Sequence, residues 1–278
     1  MKHFLPYLLC SAISLLPLRS FAQTELDDEN DFRTRITLGL DKKIIKGLHV
    51  TAEEEFRFQD GSSAIDRFQT GFGISYKVLS GLKVGASYTL LNPYSSKNSS
   101  FKNPRHRISL DLTGSLKSGF WTFSIKERIQ MTHRSGDFNQ YQNTANAWVM
   151  KTRAGIKYRG FDFWKPYAFA EIRNTLNAPA IAATYNSATD TYYTDSGTEE
   201  GDPGWFISGW NNMYINRLRG ALGCELNLSK KHGLDFYLLL DYYTDKSVDA
   251  NSSGTKLKSY TVQHGLNTTL GVGYSYSF

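Results

Sequence analysis

The seventeen residues Val262–Phe278, VQHGLNTTLGVGYSYSF, decide the fold. From Leu266 onward one parity carries Leu266, Thr268, Leu270, Val272, Tyr274, Tyr276 and Phe278. The other carries Asn267, Thr269, Gly271, Gly273, Ser275 and Ser277. Successive side chains of a strand point to opposite faces. This segment is therefore a strand with one apolar, aromatic face and one small, polar face, as a wall between an oily solvent and a wet interior requires.

The same plan recurs upstream. Five segments each begin with basic or polar residues, alternate, turn at a short link and alternate again. They start at Arg33, Arg67, Arg105, Lys151 and Asn216. Their apolar parities include Leu48, Val50, Ala52, Phe56 and Phe58; Phe68, Phe72, Ile74, Tyr76 and Val78; and Leu234, Phe236, Leu238, Leu240 and Tyr242. Links within the hairpins are short (Ser80-Gly81, Lys117 to Gly119, Lys230 to Gly233). Links between them are mostly longer: about 92 to 103, 133 to 144, 177 to 211 and 245 to 260. Short turns at one end and long loops at the other imply an all-β, antiparallel up-and-down transmembrane barrel, with periplasmic turns and extracellular loops. A soluble β-sandwich also alternates, but rarely with strands this long and loops this one-sided.

Eleven strands are legible. Single-chain bacterial barrels close with an even number, so about twelve (ten to twelve) are expected, the extra one from the acidic segment 23 to 31 or from within 177 to 211. Glu54 and Glu127 fall on the lipid-facing parity, where a carboxylate is costly. A β-bulge that swings each inward is expected.

The start of the chain agrees with its end. Lys2 and His3 precede an apolar stretch from Phe4 to Leu18, and Ser20-Phe21-Ala22 offers small residues at a cleavage site. A signal peptide over residues 1–22 and a mature barrel over 23–278 follow. Cleavage removes Lys2 and Arg19, taking the net charge from +6 to +4. Of the two cysteines, Cys10 lies in the signal, so Cys224 is left without a disulfide partner. The mild positive charge has no cluster of the nucleic-acid-binding kind. The negative mean hydropathy of −0.41 does not argue against a barrel, because only alternate residues would face lipid.

The C-terminal strand, with Tyr274, Tyr276 and Phe278, resembles the assembly signal of bacterial outer-membrane barrels. The run Ala52 to Phe58 (AEEEFRF), the stretch Lys165 to Arg173 and the entry Asn216 to Arg219 resemble a Bacteroidota family of outer-membrane proteins known only as a domain of unknown function. That resemblance implies the fold, the cell outer membrane as location, outer-membrane lipid as surroundings and the barrel-assembly machinery as partner. It carries no chemistry.

The most organised candidate site is the inward parity. Arginine pairs open first strands (Arg33/Arg35, Arg105/Arg107, Arg217/Arg219), and carboxylates come late in second strands (Glu53/Glu55, Glu171, Asp241). Arg57, Arg67, Lys126 and Arg128 share the inward face. Such charges either pair into a belt that fills a small barrel or form a constriction that selects small solutes. The 177–211 stretch sets Tyr192, Tyr193, Trp205 and Trp210 among carboxylates; it either folds over the mouth or binds a sugar, peptide or cation. The five mature histidines, His49, His106, His133, His232 and His264, are scattered without metal spacing. His106 and His133 leave open a lipid-modifying hydrolase, though no nucleophile–base motif accompanies them. The expectation is a monomeric, non-enzymatic barrel without cofactor or nucleic-acid partner, either a narrow pore or a closed barrel presenting its loops.

Overall fold

Alternation with a period of two favours strands, and the regular elements among the described residues of the structure, a computed structural model, are all strands. It describes residues 24–25, 29–136, 138–183, 185–186, 191–192, 205–250, 252 and 257–278; the signal expected over 1–22 and Tyr193 lie outside these. Eleven long strands follow in chain order: β1 (Glu29–Ile45), β2 (Leu48–Gln59), β3 (Ala64–Leu79), β4 (Leu82–Ser95), β5 (Arg105–Ser118), β6 (Trp121–Arg134), β7 (Asn146–Tyr158), β8 (Trp164–Ala183), β9 (Trp205–Asn227), β10 (His232–Ala250) and β11 (Leu257–Ser277). Each pairs antiparallel with its chain neighbour. The tightest turns lie at one end; Gly47, between β1 and β2, has φ +86°, a conformation that a Cβ opposes.

The barrel closes through β11 and β1, paired in parallel from Gly265 opposite Glu29 to Ser277 opposite Asp41. This corrects the expectation of twelve. With eleven alternating strands, the first and last run the same way and their seam must be parallel. Among the described residues the two proposed sources supply only two-residue strands: Thr24–Glu25 in the first, and Tyr185–Asn186 paired with Thr191–Tyr192 in the second. Residues 24–25 pair in parallel with Thr261 and Val262, continuing the path of β1 along β11. Residues 177–183 and 205–211 extend β8 and β9, with Ala183 opposite Trp205. Residues 245–250 and 257–260 likewise extend β10 and β11. Those strands outrun their apolar bands, and where apolar alternation stops a strand reads as a loop.

The barrel is apolar outside and polar inside. Outward-facing Phe72, Ile74, Tyr76 and Val78 are 46–57% exposed, whereas inward-facing Glu55, Gln69, Ser109, Glu171, Asp241 and Asn267 are 8% exposed or less. Glu54 and Glu127 stay on the outer face, contrary to expectation. No register shift falls at either residue: Glu54 stays opposite Leu38 and Thr70, and Glu127 opposite Leu112 and Thr152. Each carboxylate instead accepts a hydrogen bond from the threonine directly opposite on the next strand: Thr70 Oγ1 to Glu54 at 2.7 Å and Thr152 Oγ1 to Glu127 at 2.8 Å. That neighbouring hydroxyl replaces the expected bulge.

Candidate functional site: the charged lumen

The pleat puts alternate residues of every strand into the lumen, and the cross-strand register sets them in rows. One row runs Lys126, Arg153, Glu171, Arg219, Asp241 and Asn267 across β6 to β11. The next row toward the long loops runs Asp111, Arg128, Lys151, Arg173, Arg217 and Tyr243 across β5 to β10.

Four carboxylates organise the lumen, Glu55 on β2 and three within these rows, and each is shared by two cations. Glu55 meets Arg57 at 2.5 Å and Arg35 at 3.4 Å, and also accepts Gln69 Nε2 at 2.7 Å. Asp111 takes a two-pronged contact from Arg128 (2.5 and 2.7 Å) and Lys126 at 2.9 Å. Glu171 lies between Arg153 at 2.6 Å and Arg219 at 3.1 Å. Asp241 lies between Arg217 and Arg219, both at 3.0 Å. Arg217 continues to Asp245 at 3.1 Å, so one chain of ion pairs links β7 through β10. Such pairing is what lets buried charges persist at all.

Most of the residues expected in the belt meet here. Arg35, Glu53, Glu55, Arg57, Arg107, Lys126, Arg128, Glu171 and Arg219 line a single cavity of about 280 Å³. Arg33 pairs instead with Asp31 at 2.7 Å, and Arg67 with Asp66 at 2.9 Å, where a register shift interrupts the β2–β3 ladder. Arg105 stands beside Arg134 and Arg67. Glu53 is exposed to the lumen, with Arg35, Arg57 and Arg128 among its charged neighbours.

The sequence reading passed over Lys151, Arg153 and Arg173. Lys151 and Arg153 open the fourth hairpin two residues apart, as Arg33 and Arg35 open the first, and that spacing could have flagged them. With them, eight cationic side chains line the cavity (Arg35, Arg57, Arg107, Lys126, Arg128, Lys151, Arg153 and Arg219) against three carboxylates, Glu53, Glu55 and Glu171. The surplus is the chief electrostatic property of the lumen.

None of the other candidates lines the cavity. His106 and His133 point outward near the long-loop end. They stand directly opposite each other on β5 and β6, their ring centroids 6.5 Å apart; the Tyr88 hydroxyl lies 2.7 Å from His106 Nδ1 and the Asn146 amide oxygen 2.8 Å from His133 Nδ1. Ser135 Oγ donates to the Pro104 carbonyl rather than facing either imidazole. Trp210 is half-buried within β9, and only the backbones of Tyr192 and Trp205 are described. Among the described residues no group of three or more His, Cys, Asp or Glu is placed to hold a metal. Tyr274, Tyr276 and Phe278 gather at the short-turn end: Tyr274 meets His232 at 2.6 Å, and the rings of Tyr276 and Phe278 are 4.7 Å apart.

At the opposite end, the link between β6 and β7 crosses the barrel mouth. Asn139 Nδ2 donates to the Ala250 carbonyl on β10 at 2.9 Å, and Gln142 Nε2 reaches Asp249 and Ala250.

The family model described as "Protein of unknown function (DUF2490)" matches residues 33–189, more than half of the chain, and the chain belongs to that family. Among solved structures, the NanC porin in a rhombohedral crystal form aligns with 84% of this chain and 96% of its own, at 12% identity and a TM-score of 0.41. The outer-membrane expressed OmpT of Vibrio cholerae aligns with 78% of this chain and 57% of its own, at 11% identity and a TM-score of 0.34. No curated protein matches.

Proposed function

We propose that this DUF2490 chain is an outer-membrane barrel that acts as a narrow, non-enzymatic pore for small solutes and passes anions in preference to cations. The observation that carries the reading is the surplus of cations in the lumen, where every bridging carboxylate is shared by two of them. A fixed positive field in a narrow, low-dielectric channel concentrates counter-ions and raises the barrier to co-ions.

Placement in a membrane is supported by the inverted polarity of the wall. Exposed Ile36, Leu38, Phe72, Ile74, Leu110 and Leu240 would face lipid rather than water. At the short-turn end Trp121 and Tyr158 (4.9 Å) and the stacked Phe161 and Trp164 (4.6 Å) supply an aromatic girdle of the kind that sits at a membrane interface. In this reading the short turns are periplasmic, the long loops are extracellular, and one copy is the working unit. The aromatic residues Tyr274, Tyr276 and Phe278 address it to the assembly machinery.

Planar-bilayer recording of the purified protein under a potassium chloride gradient tests the proposal. The expected result is a small conductance whose reversal potential has the sign of chloride preference. Silence at every voltage and pH, or cation preference, overturns it. The second reading, a closed barrel that presents its loops, is favoured by the contacts of Asn139 and Gln142 across the mouth, and silence in the same recording would support it.

A further inference from the structure

We infer that Lys151 and Arg173, faced by Arg107, form an oxyanion-binding station in the lumen. The inference shares with the proposed function the premise that solutes reach the lumen.

The row that contains these residues sets four cations on four adjacent strands, Arg128, Lys151, Arg173 and Arg217, each directly opposite the next. Directly opposed side chains sit about 4.5–5.5 Å apart at Cβ, where like charges destabilise a sheet. The outer two are answered: Arg128 by Asp111, Arg217 by Asp241 and Asp245. The inner two make no ion pair among the described residues. Glu171, which acts on Lys151, is already held by Arg153 and Arg219, and Asp241 and Asp245, which act on Arg173, are held by Arg217 and Arg219. Arg173 Nε is buried with no hydrogen-bond partner.

Arg107 adds a third cation of the same kind. Its hydrogen bonds go to neutral groups, Gln69 at 3.4 Å and Thr132 at 3.2 Å. The charged neighbours that act on it most, Arg57, Arg67, Arg173 and Arg128, are all cations. Three cations therefore converge without a carboxylate of their own, beside a cavity lined by two of them. A bound anion would relieve that repulsion. Two guanidinium forks and one ammonium match the oxygens of a carboxylate or phosphate group. The cavity, about 280 Å³, falls just below the range of pockets for drug-sized ligands, roughly 300–1,000 Å³. The occupant is accordingly the oxyanion group of a small solute.

Calorimetric titration of the detergent-solubilised protein with inorganic phosphate and, separately, with citrate, at constant ionic strength in a chloride background, provides the test. Saturable binding of at least one is expected. Lys151→Met and Arg173→Met should each weaken it about tenfold, the equivalent of one charge-assisted hydrogen bond. Lys43→Met, an exposed change at the short-turn end, should leave it unchanged. Should a variant fail to fold, bound anion should slow acylation of Lys151 in the wild type, read by mass spectrometry. No binding, or binding and acylation indifferent to these changes, overturns the inference. Binding without conductance would sink the pore alone; conductance without saturable binding would sink the station alone.

Discussion

Replacing Glu171 with glutamine tests whether the ion-pair chain supports the wall. The side chain of Glu171 is 3% exposed and meets Arg153 at 2.6 Å and Arg219 at 3.1 Å. Glutamine keeps the shape but withdraws the charge and turns an amide donor toward two guanidinium groups, which only donate. Removing one partner from a buried pair costs about 3–5 kcal/mol. Two features place this case at the low end of that range. Arg219 retains Asp241 at 3.0 Å, and Arg153 retains its stacking over the Phe169 ring, 4.0 Å from the centroid. The expected loss is about 3 kcal/mol, measured by urea unfolding from lipid vesicles followed by tryptophan fluorescence. Chloride preference should rise in the same variant, because the lumen gains one net positive charge. A loss below about 1 kcal/mol, the range of exposed pairs, would show that water screens the network and refute the structural role given to it.

Three further changes probe the wall, the mouth and the outer face. A Cβ on Gly271 would lie 2.0 Å from Tyr237 Cζ, so Gly271→Val must displace that ring from the seam strand; a loss of about 1–3 kcal/mol is expected, and wild-type unfolding would refute the close approach. With Cys224→Ser as background, an oxidised disulfide between Gln142→Cys and Asp249→Cys should lower conductance and a reductant should restore it. Unchanged conductance would show that the β6–β7 link does not restrict the mouth. Glu54→Leu combined with Thr70→Val replaces an outward polar pair with apolar groups and should stabilise the lipid-embedded barrel by about 1 kcal/mol, since outward charge is costly by depth. A loss of stability would mean that this face does not meet lipid.

The wall of the barrel was legible because its two faces differ so sharply in polarity. Leu266 and Leu270 are exposed, while Gly265, Asn267, Thr269 and Gly271 between and beside them are buried, as the parity of the final strand required. Legibility stopped where the outer face loses its apolar band. Beyond about Asp245 and Asn211 no apolar face marks the strand, so residues that continue the ladder had the look of loops. The eleven strands were legible, and only the twelfth, added because such barrels close with an even number, was misjudged. Parity says which way a side chain faces but nothing about which edge meets which, and closure is a pairing between the two ends of the chain. The tracking of Gly265–Ser277 beside Glu29–Asp41 leaves no trace in the pattern of either strand.

The inward charges show the same division. Their side was readable from parity, and so was an excess of cations, ten against the four acids Glu53, Glu55, Glu171 and Asp241. Which acid meets which base was not readable, because the order of residues along the chain carries no cross-strand pairing. The register lets Glu55, Asp111, Glu171 and Asp241 each bridge two cations, which uses up these acids while Lys151, Arg173 and Arg107 remain unmatched. A belt built only to fill the lumen would gain from answering those three charges, because unpaired charge away from water is expensive. Their persistence beside a cavity is better accounted for by a counter-charge that comes and goes with the solute, which ties the electrostatics of the wall to passage through it.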